Sequence, residues 1–459
     1  MRIAANLCFA FIVAAASPAQ IWEKPLAPGV VYHMEWDAKT PRIIHAVRIS
    51  PKAPGLTLKS ELAKGVMFPT DSSSGCDTLS NIAKRTKALV AINGDFFPFT
   101  GDPLGVMVHD GVLYSTPLLS RSAVAWSGPD FTFATPTWSG FVEGLGNTAL
   151  TLDGVDEAPP ADRMVLITHV AGTVPLSKPN TVVTLKSGDV APSGQVSATV
   201  VSSASDAATA SAKEGEVILV ATGTRAASLA GAKADAAVKI STKLEGVDWS
   251  HANQAVGGGP TLLRDGKVVN DWEAQKFKDA FANKRHPRTA IGRTADGQVW
   301  EVVVEGRTTF SAGATLGELS DIMKGLGCVD AINLDGGGSS GLNLMGLTIS
   351  RPSENGVERP VANAVVLSSP TGAASTESFT LKVASDVPFG SNAYATIVNA
   401  KGETIPNGQV FWAAGGSAWI DQGGLVHGVA AGPATVYALV RGQILRARVT
   451  IAVAPKKAA

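Results

Sequence analysis

The chain has 459 residues, with 39 Lys+Arg against 39 Asp+Glu and a formal net charge of zero. That length calls for two or three domains, and the lack of a basic excess argues against nucleic acid or an anionic membrane as main partner. Apolar residues make up 45% and charged residues 17%, enough for a sizeable packed core.

At the N-terminus, Arg2, an apolar run over 3–16 and the small residues Ser17-Pro18-Ala19 have the layout of a secretory signal peptide, with cleavage before Gln20. The run is short for a membrane span of ~20 residues. Residues 1–19 are therefore assigned to a signal peptide. The mature chain is expected to be secreted, periplasmic or held in the cell envelope, with no membrane span. Cys76 and Cys328 remain in it. An oxidising compartment allows a disulfide between them, and the apolar strand around Cys328 equally allows a buried thiol.

Residues 30–32 and 43–49 alternate as strands, and 56–86 read as mostly helical or irregular. Residues 88–92 form a buried strand that ends at Asn93-Gly94-Asp95-Phe96-Phe97. Asp-Gly pairs at 110–111, 265–266 and 296–297 sit between apolar alternations and predict hairpins. Runs at 164–167 and 217–220 are β-like, and the Ala/Ser-rich stretch 202–212 reads as a loop or short helix. Over 315–327, Leu316, Leu319, Ile322, Met323 and Leu326 line one helical face, opened by a capping box of Thr315 and Glu318. A second buried strand, 328–332, follows.

This order predicts an α+β fold over residues 20–370, with mixed, largely antiparallel sheets flanked by helices. Short alternating strands from 376 to 453 predict a small Ig-like β-sandwich.

The chemistry concentrates in Asn333-Leu334-Asp335-Gly336-Gly337-Gly338-Ser339-Ser340-Gly341. Three glycines let the backbone approach a ligand closely, and successive N–H groups can cradle an anion. Other polar, glycine-marked segments stand at strand ends: 93–97, Gly257-Gly258-Gly259-Pro260, the 285–292 stretch with Arg288 and Thr289, and Glu305-Gly306-Arg307. Arg288 and Arg307 are candidate anion clamps. Asp95, Glu305 and Asp335 are candidate catalytic carboxyls. Asn93, Thr289, Asn333, Gly336, Gly337, Gly338 and Ser339 are candidate substrate or phosphate contacts. No His-Glu-x-x-His or paired Cys-x-x-Cys occurs, so no cofactor is expected, although Asp95, Asn333 and Asp335 offer oxygens to Ca²⁺ or Mg²⁺.

In this order the segments resemble the phosphodiester glycosidase family, over roughly residues 60–368. The pieces that carry the resemblance are 91–97, 257–260, 288–292, 305–307, 313–319, 331–340 and Arg359-Pro360-Val361-Ala362-Asn363-Ala364. Bacterial members often carry a glycine pair at Gly94-Asp95, and an Asp where Glu305 stands. The resemblance implies an exported hydrolase that cleaves the glycosidic C–O bond of a sugar-1-phosphodiester in an envelope or extracellular glycan. Arg288, Arg307 and the 336–339 backbone would hold the phosphate, and Asp335 or Glu305 would activate water or act as nucleophile. Two other readings fit the residues: a non-catalytic carbohydrate-binding envelope protein, and a metal-assisted phosphodiesterase.

Overall fold

The computed structural model describes residues 19–71, 74–118, 120–249, 252–269, 271–370, 374–391 and 393–452. The assigned signal peptide lies outside the described residues but for Ala19.

The centre is an eight-stranded antiparallel sheet in the order Gln20–Ala27, Val30–Asp37, Arg42–Ile49, Val299–Val304, Arg288–Thr294, Cys328–Asn333, Thr261–Arg264 and Lys267–Val268. A five-stranded antiparallel sheet stacks on one face: Leu347–Thr348, Leu342–Leu344, Val90–Asn93, Asn363–Ser368 and Thr57–Leu62. Tyr32, Val47, Ile291, Val303 and Ile332 from the first sheet meet Val90, Ile92, Leu342, Val365 and Leu367 from the second in one closed core. Period-2 alternation delivers this face, because successive side chains of a strand point to opposite sides.

A third sheet, built from Val112–Ser115, Met107–His109, Gln254–Gly257, Ala123–Ser127 and Asp130–Ala134, belongs to two cores at once. Val124, Trp126, Phe131 and Val256 join the central core, whereas Val108, Ala125 and Ala255 face a second. That second core is closed by another eight-stranded sheet, in which Gly194–Ser205 lies between Ala237–Glu245 and Asn180–Lys186. Of the Ala/Ser-rich stretch, 206–212 is irregular but for the two-residue strand Thr209–Ala210, and the first part, 202–205, is the end of a 12-residue strand. Val201 to Ser205 are all exposed, so burial never marked it as a strand.

The expected α+β class, with sheets flanked by helices, is therefore overturned. Strand accounts for 47% of the structure and helix for 9%. Sheets cover sheets, and helices patch only parts of two outer faces. Leu316–Gly325 has the capping box of Thr315 and Glu318 and lays Leu316, Leu319 and Met323 on Ala290, Val302 and Ala331. Leu79–Thr86 covers Ala91, Ala364 and Val366, and the rest of the supposed helical stretch contains the strand Thr57–Leu62. Among the hairpins, Asp110-Gly111 and Asp265-Gly266 have positive φ at both residues, as a type I′ turn requires, while at 296–297 only Gly297 does. Cys76 and Cys328 are buried free thiols.

Residues 379–452 form further small sheets around a core of their own, including Val387, Ile397, Trp412, Val436 and Ile451. This module is packed hard against the rest. Phe411, Trp419 and Leu439 enter the central core, and the Phe411 ring meets Tyr32 edge-on at 5.8 Å. Lys24, buried in the first strand, donates to Gln422 O at 2.8 Å and to Val410 O. Burial lowers its pKa to about 7, against the charge of Asp421.

Glu301 sits in the central core between Val47 and Ile291 on the neighbouring strands. It is fully buried, and neither carboxyl oxygen has a partner among the described residues. Burial raises its pKa to about 8. A folded pKa above the unfolded value means stability that is complete below the ordinary glutamate range and is lost as pH rises through about 8. Glu301→Leu is expected to stabilise the fold by about 1–3 kcal/mol at low pH, since an unsatisfied buried group disappears. The gain should widen up to about pH 8, and urea unfolding across pH 4–9 measures it.

Candidate active site

Alternating strand directions bring five strand ends to one edge of the central core. These are the C-terminal ends of Val90–Asn93, Cys328–Asn333 and Val299–Val304, and the N-terminal ends of Arg288–Thr294 and Asn363–Ser368. Asn93 ties them together. Its Nδ2 donates to Asp335 O at 2.7 Å, and its Oδ1 accepts from Thr289 Oγ1 at 2.7 Å and Gly341 N at 3.2 Å. One buried amide thus joins both stacked sheets to the 333–341 turn. Asn333 Nδ2 donates to Gly259 O and Leu334 O, fixing the Gly257–Pro260 segment alongside.

Asp335 and Asp95 are neighbours, because Asp335 N donates to Gly94 O at 3.0 Å. Asp335 Oδ1 accepts from Gly336 N at 2.8 Å. Burial lifts its pKa to about 6, opposed by the Gly336 amide and the Arg359 charge. Asp95 accepts from Phe96 N at 2.8 Å and Gly105 N at 2.6 Å, and its own N–H bonds Asn363 Oδ1. Burial lifts it to about 7, the charge of Asp335 adding to the rise and that of Arg121 opposing it.

The turn continues as a single 3₁₀ turn, Gly337–Ser339. At Gly338 a Cβ would lie 2.4 Å from both Arg359 Cζ and Glu354 Oε1, so any side chain there would displace the ends of those two side chains. Ser340 Oγ and Asn333 Oδ1 are buried without a partner among the described residues. Unpaired buried polar atoms at a strand-end turn mark a place built to receive a polar ligand or water.

The expected cations separate in role. Arg307 lies exposed in the left-handed region at φ +64°, with Nη1 reaching Ser353 Oγ at 3.4 Å, and that hydroxyl reaches Gly337 O at 3.3 Å. Arg288 is fully buried. Its Nε donates to Ala314 O at 2.9 Å and its Nη2 to Phe281 O and Lys284 O, with the Phe281 ring 4.7 Å below. Burial lowers its pKa to about 10. Arg288 therefore braces the loop beside Gly336, and Arg307 faces the open side.

Glu305 is buried, and its Oε2 has no partner among the described residues. Its Oε1 accepts from His45 Nε2 at 2.8 Å and Arg351 N at 2.6 Å, and Tyr32 OH bonds His45 Nδ1 at 2.7 Å. A neutral imidazole, accepting from Tyr32 and donating to Glu305, satisfies both bonds. Arg351 extends from this point to the C-terminal module, donating to Ala418 O at 2.9 Å and Gly416 O at 2.7 Å.

Sequence reasoning missed Tyr32, His45, Arg121, Arg351, Ser353 and Arg359 as site neighbours. One signal was available for His45, which stands at the same core-facing parity as Ile43 and Val47. Asp95 has both oxygens bonded to amides, and Asn333 has its side-chain nitrogen bonded to two carbonyls. Among the described residues no group of three or more His, Cys, Asp or Glu could hold a metal ion.

Residues 188–368, less than half of the chain, match the phosphodiester glycosidase family. The chain is 35% identical over 119 residues to the prophage-derived protein YomE of Bacillus subtilis, covering 26% of this chain and 18% of that one. It is 32% identical over 111 residues to the N-acetylglucosamine-1-phosphodiester alpha-N-acetylglucosaminidase of Bos taurus, covering 22% and 21%. The matched segments thus span about a fifth of each of these relatives. A hypothetical protein from Synechocystis has a similar fold, with TM-score 0.64 and 25% identity, over 77% of this chain and 64% of that one. A Burkholderia pseudomallei K96243 protein aligns with TM-score 0.58 and 22% identity, over 73% and 74%, a likeness of fold alone. Asn93 and Asp95 lie outside the matched stretch yet bond directly to it.

Asn93→Ala should destabilise the protein by roughly 2–4 kcal/mol, leaving buried partners unpaired at about 1–3 kcal/mol each. Denaturant unfolding measures the cost. Amide exchange should accelerate first in 335–341.

Proposed function

We propose that this chain hydrolyses sugar-1-phosphodiesters, breaking the bond between the anomeric carbon and the phosphate oxygen. The observation that carries this reading is the Asp95–Asp335 pair: two carboxyls on adjoining strand ends, with pKa values raised to about 7 and about 6, beside a glycine turn bordered by Arg307 and Arg359. Two nearby carboxyls with separated pKa values are suited to divide acid and base roles. The family match over 188–368 supports the same reaction class.

In this mechanism Arg307 and Arg359 hold the phosphate, which departs as a monoester with its charge already compensated. The amides of Gly336, Gly337 and Ser339 donate to Asp335 Oδ1, Pro287 O and Gly336 O and shape the turn instead. Ionised Asp335 activates water, or attacks the anomeric carbon itself. Asp95, which holds its proton up to about pH 7, keeps a second negative charge away from Asp335 below that pH. Asn93, Thr289 and Asn333 position the turn, and Arg288 braces its support. Glu305, held by His45 and Arg351 N, anchors the 350–353 segment rather than reacting. The layout of residues 1–19 supports export, and with it a glycan substrate in the envelope or outside the cell. Residues 376–453 would serve as an Ig-like module fixed to the catalytic part. No cofactor enters this mechanism.

Incubation of residues 20–459 with a panel of sugar-1-phosphodiesters in ¹⁸O water, with and without EDTA, tests the reading. Label in the free sugar, unaffected by EDTA, is the expected result. Label in phosphate would assign the chemistry to a phosphodiesterase, and binding without turnover would assign a carbohydrate-binding protein.

The pH dependence follows from the same pair. Activity should rise with pH through about 6 as Asp335 ionises and fall beyond about 7 as Asp95 loses its proton. Asp335→Asn should lower kcat by roughly 10²–10⁴. Asp95→Asn should keep most of the activity and lose the alkaline fall. A pH–rate series on the three proteins decides it.

A further inference from the structure

Immediately after Asp95 the chain makes a loop, 96–104, that ends by bonding Leu104 N to Phe96 O at 2.9 Å. At its tip Phe99 is 69% exposed. Scattered exposed apolar residues are ordinary on protein surfaces, and two features set this one apart.

First, the tip is built on a tight support. Ser74 Oγ donates to Phe99 O at 2.8 Å, and Gly75 N donates to Thr100 O at 2.6 Å. The packing there leaves no room for side chains: a Cβ on Gly101 would lie 2.5 Å from Gly75 Cα, and one on Gly75 would lie 2.0 Å from Met67 O. A loop clamped this closely to the body holds Phe99 in a defined position instead of letting it fold inward.

Second, the ring is continuous with the candidate site. Phe97 meets Phe99 edge-on at 5.3 Å, and the Arg359 guanidinium stands 5.9 Å from the Phe99 ring centre. The same guanidinium abuts Gly338, and its charge acts on Asp335. Phe99, Arg359 and the glycine turn thus form a short path from an apolar ring, through a cation, to the carboxyl. Binding sites pair apolar and aromatic walls with a few placed polar groups, and a single open aromatic face has the area of one pyranose ring.

We propose that Phe99 is the stacking platform for the sugar ring of the substrate, set beside the phosphate-holding Arg359 so that one ligand engages both. The C–H face of the pyranose lies on the ring, and the phosphodiester oxygens meet Arg359, whose Nη2 is also paired with Glu354 Oε1. This inference rests on the phosphodiester glycosidase reading of the site and adds the residue that selects for a sugar over a bare phosphodiester.

The test compares the full mature chain with Phe99→Ala and Phe99→Trp. The ligands are methyl phosphodiesters of several hexoses and N-acetylhexosamines, with dimethyl phosphate as the probe that lacks a sugar. Affinity is read by calorimetry, and ring contact by saturation-transfer NMR. Melting temperatures near that of the parent protein are expected, because Phe99 is mostly exposed. Phe99→Ala should bind the sugar phosphodiester at least tenfold more weakly, bind dimethyl phosphate unchanged, and lose saturation transfer to the ring C–H protons. Phe99→Trp should restore binding. Equal affinity of Phe99→Ala and the parent for the sugar ligand would overturn the platform while leaving the site reading intact. A parent protein that binds no member of the panel would overturn both.

Discussion

The site depends on the side chain of Asn93. A primary amide has one donor end and one acceptor end, and here both are used between elements far apart in sequence. The turn after Asn333 has almost no regular structure of its own, so its shape is imposed from outside. Asn93 imposes it by gripping Asp335 O, Gly341 N and the Thr289 hydroxyl at once. Satisfied buried networks of this kind specify one arrangement, because every alternative leaves a polar group unpaired at low dielectric. Gly94 O adds a backbone bond to Asp335 N, so two carboxyls on different strands become neighbours.

Much of this edge was legible in the sequence. Buried strands ending in polar, glycine-marked turns announce where loops gather, and the two that meet through Asn93 were both visible at 88–97 and 328–341. The helix Leu316–Gly325 was legible down to its capping box, because helical signals are local. The sheets were less so. Ladder bonds join residues that are remote in sequence, and a strand with one solvated face, such as Gly194–Ser205, carries small and polar residues that resemble a loop. Weighing local helical signals against diffuse strand signals produced the α+β expectation. The same asymmetry hid Tyr32 and His45, which reach Glu305 only through pairing of the strands Val30–Asp37, Arg42–Ile49 and Val299–Val304.

Arginines show a related limit. Arg288 and Arg307 look equivalent in sequence, each near a glycine at a strand end. Burial separates them. One is enclosed, with Nε and Nη2 on backbone carbonyls and Nη1 buried without a partner among the described residues, and the other lies open over the turn. Arg359 was visible only as part of a terminal strand pattern, yet its guanidinium fills the space that Gly338 leaves free.

The change in composition near residue 370 looks like a seam, but forces cross it in both directions. Trp419 stacks on Phe310 at 5.3 Å and meets Trp36 at 4.9 Å, and Arg351 grips two carbonyls of the module while its own amide holds Glu305. The two segments that border the glycine turn, 306–312 and 350–359, thus lean on residues encoded after the seam. In evolutionary terms the module is no portable cassette. Recombination at residue 370 would join residues 20–370 to a stranger lacking the matching aromatic face and carbonyls, and would leave the Trp36 and Phe310 rings without their Trp419 partner.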